Sequence, residues 1–293
     1  MKYRFLRFPE GKVKAVTFSY DDGCSQDLRT AEVFDHYGLK GTFNINSANV
    51  IREKGLTARE IQEHILDKGH EVAVHGQLHR APGVVRAVEG IRDILCCRLE
   101  LEEMFGEIIR GLAYPDSGIG RFANGASYEK IRAYLQELDI VYARTARGDN
   151  NRYALPEDWY CWMPTAHHDN PQVLDWAKEF VELTLPVHGS RKSPRLFYVW
   201  GHSFEFDRND NWEQLTRLCE ALAGRDDIWY ATNMEICQYV MAYERLVYSA
   251  DGLRVYNPSV QTVWFEVDGT PYRVDPGQTL TVADTRFPFF KNI

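Results

Sequence analysis

Apolar residues along the chain follow two alternating rhythms. Short runs rich in Val, Ile, Phe and Tyr occupy residues 14–20 (KAVTFSY), 41–46 (GTFNIN), 71–75 (EVAVH), 108–114 (IIRGLAY), 140–144 (IVYAR), 196–202 (LFYVWGH) and 228–232 (IWYAT). Their length and β-branched content predict buried strands. Between them, residues 27–37, 58–68, 84–105, 128–138, 171–183 and 212–223 space apolar side chains three or four apart, the period of an amphipathic helix. Thr57 followed by Glu60 predicts a capping box at the second of these helices. Strand–helix repetition of this kind implies parallel strands joined by right-handed crossovers. Polar residues close at least four of the strand candidates: Asp21 and Asp22, His75, Tyr114 and His202. An open sheet gathers ligand groups at one switch point, whereas a barrel lets many strand ends converge, so a barrel is the expected fold. From Leu246 the pattern changes to period two, with turn pairs Asp251-Gly252, Asp268-Gly269 and Pro276-Gly277. That texture predicts a small antiparallel β appendage over residues 246–293, following a barrel over residues 1–245.

Charge and composition remove several function classes. Thirty-four Lys and Arg against 42 Asp and Glu give a net charge of −8, which supplies none of the positive field a nucleic-acid partner requires. No run approaches the 18 or so apolar residues of a membrane span. The opening MKYRFLRFPEGK interrupts its apolar residues with Arg and Glu, unlike a secretion signal, so a cytoplasmic protein is expected. Cys24, Cys96, Cys97, Cys161, Cys219 and Cys237 form no C-x-x-C pair, and reduced thiols are expected rather than a disulfide framework or a thiolate metal site.

Four segments carry candidate chemistry. In TFSYDDG (residues 17–23) two adjacent carboxylates end an apolar strand; like charges in a poorly solvated pocket call for a cation or a shared proton, although Asp-Asp-Gly is also ordinary turn chemistry. Alternation along an extended chain points Asp21 and Asp22 in different directions, which allows one to bind a metal and the other to act as a base. HGQLH places His75 and His79 four residues apart directly after EVAV. Two imidazoles and one carboxylate make a three-ligand set with open positions for water and substrate. Zinc suits that mixture, and cobalt, nickel, manganese and iron are compatible with the same donors. In WGHSFEFD (residues 200–207) a strand-end His202 stands beside Trp200, as a general acid or as a satisfied core histidine. Residues 158–169 (DWYCWMPTAHHD) are read as a loop in which Trp159, His167 and His168 suit a sugar face or ordinary packing.

TFSYDDG, HGQLH at the next-but-one strand, an AYP strand end and a late strand-end His together resemble the polysaccharide deacetylases, carbohydrate esterase family four, over residues 15–243. The resemblance implies a distorted (β/α)7 barrel, here with the β appendage added, and metal-dependent removal of N- or O-acetyl groups from a carbohydrate or glycoconjugate. It implies Asp21 as catalytic base, one divalent ion on Asp22, His75 and His79, and His202 as catalytic acid. It also implies Trp159 or Trp200 lining the acetyl pocket; Tyr114 and the adjacent His167 and His168, a pair outside the common family pattern, are the other expected substrate-binding residues. Where the family has an Arg-Pro-Pro-Tyr-Gly stretch whose Arg steadies the base, this chain reads LAYPDS (residues 112–117), leaving Arg110 and Arg144 as replacements. Rival readings are a hydrolase of non-sugar amides of the cyclic imide or ureide type on the same barrel, and a glycan-binding protein without turnover.

Overall fold

The computed structural model describes residues 3–146, 152–186 and 192–283; the last ten residues of the expected appendage lie outside them. In chain order the strands are β1 (Arg4–Arg7), β2 (Lys14–Asp21), β3 (Gly41–Ile45), β4 (Glu71–Val74), β5 (Gly111–Ala113), β6 (Tyr142–Arg144), β7 (Ala166–His167), β8 (Arg195–Gly201), β9 (Ile228–Tyr230), β10 (Val247–Tyr248), β11 (Arg254–Tyr256), β12 (Val263–Val267), β13 (Thr270–Val274) and β14 (Thr279–Thr281). The helices are α1 (Asp27–Tyr37), α2 (Ser47–Ile51), α3 (Ala58–Ile61), α4 (Ala87–Phe105), α5 (Tyr128–Glu137), α6 (Val173–Glu182), α7 (Phe204–Arg208), α8 (Trp212–Leu222) and α9 (Asn233–Glu244). The helix expected over 58–68 opens with the Thr57–Glu60 capping box and then widens into a π turn, Gln62–Leu66.

Parallel pairing runs β6-β5-β4-β3-β2-β8-β7, and the sheet curls into the distorted (β/α)7 barrel. Trp162 joins the two ends: its N–H donates to Ala143 O at 3.0 Å and its carbonyl accepts from Thr145 N at 2.9 Å. Every residue of β2 is buried because both faces are covered. Val16, Phe18 and Tyr20 pack into the helix-side core, while Thr17, Ser19 and Asp21 alternate to the other face. At the strands' N-terminal end Asn233, opening α9, enters that interior: its N–H donates to Thr42 Oγ1 and its side chain bonds Thr17 and Tyr198.

Two expectations are corrected. The seventh barrel strand is β7, inside the stretch read as a loop; the 228–232 run is β9, which among the described residues pairs with Lys14–Val16 of β2 beside the shorter β3. A two-residue strand is too short to show a period, so its partners and not its pattern define it. The β appendage is also not purely C-terminal. Among the described residues it comprises two antiparallel three-stranded sheets, β10-β11-β14 and β1-β12-β13, the second including β1, which precedes the barrel strands in sequence. Val255, Val263, Phe265, Val267 and Val274 form their shared core. Buried Arg7 bonds Glu266 at 2.7 Å, and Glu266 also holds Lys192. All six cysteines are free thiols; Cys97, Cys219 and Cys237 are buried and the others half-buried. No helix among the described residues is long and apolar enough to cross a membrane.

Candidate active site

The C-terminal strand ends bring Asp21, Asp22, His75, His79 and His202 together. Asp21 is the last residue of β2 and stays extended, whereas Asp22 adopts φ 83°. That left-handed turn overrides the alternation expected of the pair and brings both carboxylates to one mouth. Asp22 Oδ1 lies 3.6 Å from His75 Nε2 and 3.5 Å from His79 Nε2, and Asp21 Oδ2 lies 3.8 Å from His75 Nε2.

His75 follows β4, and its Nδ1 lies 2.9 Å from Ala113 O. A carbonyl only accepts, so Nδ1 carries the proton and Nε2 presents its lone pair to Asp22 and His79. This Nε2 is buried without a hydrogen-bond partner. Burial disfavours the charged ring and keeps its pKa below the ordinary imidazole value, against the pull of Asp21 and Asp22. An orphaned, neutral imidazole nitrogen beside a carboxylate and a second imidazole fits a divalent cation, and the carbonyl partner is the usual way such a ligand is oriented. The turn to His79 is held from α4: buried Asp93 accepts from Leu78 N at 2.7 Å and Arg80 N at 3.3 Å. Gly76, at φ 74°, lets the chain pass this carboxylate, since a Cβ there would stand 2.3 Å from Asp93 Oδ2. His79 adopts φ 57° and its ring stays partly open to solvent.

Asp21 is held by Arg144, whose guanidinium nitrogen donates to both its oxygens at 2.6 and 2.5 Å, and by Asn44 Nδ2 at 2.8 Å. Burial raises the Asp21 pKa, but Arg144, His75 and His202 outweigh it and hold the carboxyl below its ordinary value. Of the two arginines considered, Arg144 is the one that reaches Asp21. Arg110 bonds Asp139 O instead, at the outer end of β5. The Arg144 guanidinium lies 4.6 Å over the Trp200 ring.

His202 follows β8, with Nε2 4.0 Å from both Asp21 Oδ2 and Asp22 Oδ2. Glu205, one turn on, accepts at 3.3 Å from His202 Nδ1. Burial lowers the His202 pKa, but the Glu205 bond and the charges of Asp21 and Asp22 leave it above the ordinary value. Beneath, Ser203 Oγ donates to Asp27 Oδ1 at 2.5 Å, and burial raises the Asp27 carboxyl to about 7.

The aromatic candidates divide. Trp200 flanks His167 (centroids 4.7 Å) and His202 (5.9 Å) at the mouth. Tyr114 is buried, gives its hydroxyl to Tyr160 O, and lines a cavity of about 180 Å³ with Ile119, Cys161 and Met163. Trp159 is not brought to the mouth; its ring packs 4.9 Å from Trp162, within the cluster that holds Phe8 and Tyr239. His167 is half-buried beside Glu205, and His168 is buried between Tyr20 and Phe206. Burial and the neighbouring His167 lower the His168 pKa to about 3. Asn44, Asp93 and Glu205 were not singled out in the sequence. Asn44 was visible as a polar residue on the inward-facing alternation of GTFNIN, and Asp93 as a carboxylate among the apolar positions of α4.

Carboxylates and imidazoles thus converge from the strand ends of this barrel on one mouth. The family model of the polysaccharide deacetylases matches residues 8–143. The matched stretch contains Asp21, Asp22, His75, His79 and Tyr114 and ends before Arg144, Trp200 and His202. Among solved structures, a candidate polysaccharide deacetylase from Mycobacterium smegmatis aligns at 17% identity and TM-score 0.56, covering 82% of this chain and 94% of that one. The allantoinase Puue aligns at 12% identity and TM-score 0.55, covering 79% and 91%. A family 4 acetyl xylan esterase from Clostridium thermocellum, solved with a cobalt ion, aligns at 14% identity and TM-score 0.47, covering 76% and 90%. No curated protein matches the chain.

Proposed function

We propose that the protein is a metal-dependent deacetylase that hydrolyses N- or O-acetyl groups on a carbohydrate or glycoconjugate. The observation that carries this reading is the opposition of two groups across one mouth: Asp21, locked by Arg144 next to the Asp22–His75–His79 triad, and His202, braced by Glu205. Asp22, His75 and His79 would hold one divalent ion, zinc being the first to test. When bound, that ion supplies Lewis acidity to the acyl oxygen and the attacking water.

The remaining work falls to this chain's own side chains. Asp21, its pKa held low, is ionised near neutrality and takes a proton from the water as its oxygen adds to the acetyl carbon. Arg144 fixes both Asp21 oxygens, so the base keeps one orientation. The Tyr114 N–H is committed to Arg144 O at 3.0 Å and residue 115 is Pro, so of this stretch the Asp116 N–H is the donor left for the developing oxyanion. His202, its pKa above the ordinary imidazole value, gives its proton to the leaving nitrogen or oxygen as the acyl bond breaks. The products are acetate and a free amino or hydroxyl sugar. Trp200 and His167 form the mouth wall on which a sugar face rests.

The test is acetate release from N-acetyl and O-acetyl sugar monomers and oligomers, with a cyclic ureide and imide panel alongside and metal content measured on the same sample. Acetate release that chelator abolishes and zinc restores is the expected outcome. Turnover confined to the ureide or imide panel would replace the sugar reading, and binding of sugars without acetate release by metal-replete protein would end the catalytic one.

A further inference from the structure

A second group of metal-type donors lies on the far side of His202, formed by His168, Asp169 and Glu205 with His167 at their edge. His168 Nε2 stands 3.3 Å from Glu205 Oε2 and 3.4 Å from Asp169 Oδ1. Yet it makes a hydrogen bond to neither and is buried without a partner. Its ring is clamped: Phe206 stacks at 4.3 Å, Tyr20 at 5.6 Å, and a Cβ on Gly201 would stand 2.0 Å from its Nδ1. The carboxylates are braced as well. Asn209 and Asn211 donate to Asp169 at 2.8 and 3.3 Å, and Arg208 donates to the other Glu205 oxygen at 2.9 Å. Asp169 N–H donates to His167 Nδ1 at 3.1 Å, which leaves the His167 ring proton on Nε2, 3.0 Å from Glu205 Oε2. His167 is thereby a donor that orients Glu205, the outer-shell role that commonly accompanies a ligating carboxylate.

We propose that His168 Nε2, Asp169 Oδ1 and Glu205 Oε2 bind a second divalent cation. The spacing fits: ligand atoms about 2.1 Å from a tetrahedral ion lie roughly 3.4 Å apart, His168 Nε2 stands 3.3 and 3.4 Å from the two carboxylate oxygens, and all the donor atoms lie within 4.8 Å of one another. One imidazole with two carboxylates suits zinc or manganese rather than a soft ion. Since Glu205 also bonds His202 Nδ1, this ion is one carboxylate away from the proton donor.

The experiment is equilibrium dialysis of the full chain against zinc, followed by metal analysis, with manganese as a second probe and circular dichroism on every variant. Wild type is expected to hold two ions, His79→Ala one, Asp169→Asn one, and the double variant none. Asp169 is partly exposed, and Asn in its place is nearly isosteric; His168→Asn is the second probe of the same site. A single ion in wild type that His79→Ala removes, or two ions retained in both Asp169→Asn and His168→Asn, overturns the proposal. A single ion that survives His79→Ala and is lost in Asp169→Asn upholds this site and removes the first one, so the two assignments fail separately.

Discussion

Replacing Asp27 by Asn should make the protein's stability markedly less sensitive to alkali. Asp27 opens α1 and lies fully buried under the His202 turn, where Ser203 Oγ and Cys24 Sγ point at its Oδ1 and its Oδ2 has no partner. Burial raises its pKa from 3.8 to about 7. Below pH ~4 both the folded and unfolded chain carry the proton, and nothing is lost. Between pH ~4 and ~7 the folded chain retains a proton that the unfolded chain gives up, so stability falls as pH rises, by about 1.4 kcal/mol per unit. The accumulated loss is about 4 kcal/mol, complete above pH ~7. Asn preserves the acceptor for Ser203 and cannot ionise. Its amide hydrogens are as unpartnered as the acid proton they replace, an offset that does not vary with pH. Urea unfolding of wild type and Asp27→Asn in chelator, at intervals from pH 4 to 8, isolates the residue because every other titrating group is common to both. The variant should gain on wild type by about 4 kcal/mol across that range. A stability difference that stays constant with pH would refute the reasoning.

The site gives three further expectations. Asp21→Asn should keep its metal content and lose activity by about a hundredfold or more, the scale of a lost general base; loss of metal with unchanged turnover per bound ion would exchange the roles of Asp21 and Asp22. Arg144→Met strands a buried carboxylate and should cost about 3–5 kcal/mol in urea unfolding with chelator present, much of it recovered in the Arg144→Met/Asp21→Asn double variant; a single variant as stable as wild type would show that the pair carries no such coupling. His202→Ala should slow an N-acetyl amide far more than an ester with a good leaving group, because only the amine must be protonated to depart. Equal losses on the two substrates would take the acid role away from His202.

How much of this could be read from the chain depends on the reach of each signal. β2, β3, β8 and most helices carry long periodic patterns, and the sequence places them to within about a turn. The strand-end Asp, Asp, His, His and His stood out because charged or titratable groups close apolar runs, where burial makes their presence costly. What escaped was set by contacts distant in sequence. β7 is a strand only because Trp162 and Tyr198 pair the backbone around it. β1 is a strand because Val263–Val267 arrives beside it. The choice of Arg144 over Arg110 follows from which end of its strand each occupies, a matter of one or two residues in boundaries that periodicity does not resolve. The convergence of Asp21 and Asp22 needed a backbone angle, φ 83° at Asp22, that no alternation rule contains.

The pairing of β1 with β12 also dictates an order of events during synthesis. Arg7 and Glu266 are 259 positions apart, and the whole barrel is made between them. At ribosomal speeds of about 5–20 residues per second, β1 emerges on the order of 10–50 s before its partner strand exists. Throughout that interval its four residues present free N–H and C=O groups to any passing chain, the situation from which edge-to-edge aggregation starts. Arg4 and Arg7 bracket Phe5 and Leu6 in this strand. The arginine that locks the mature sheet to Glu266 thus also sets a charge beside Leu6 on an edge that waits for its partner, the kind of residue that discourages edge-to-edge pairing.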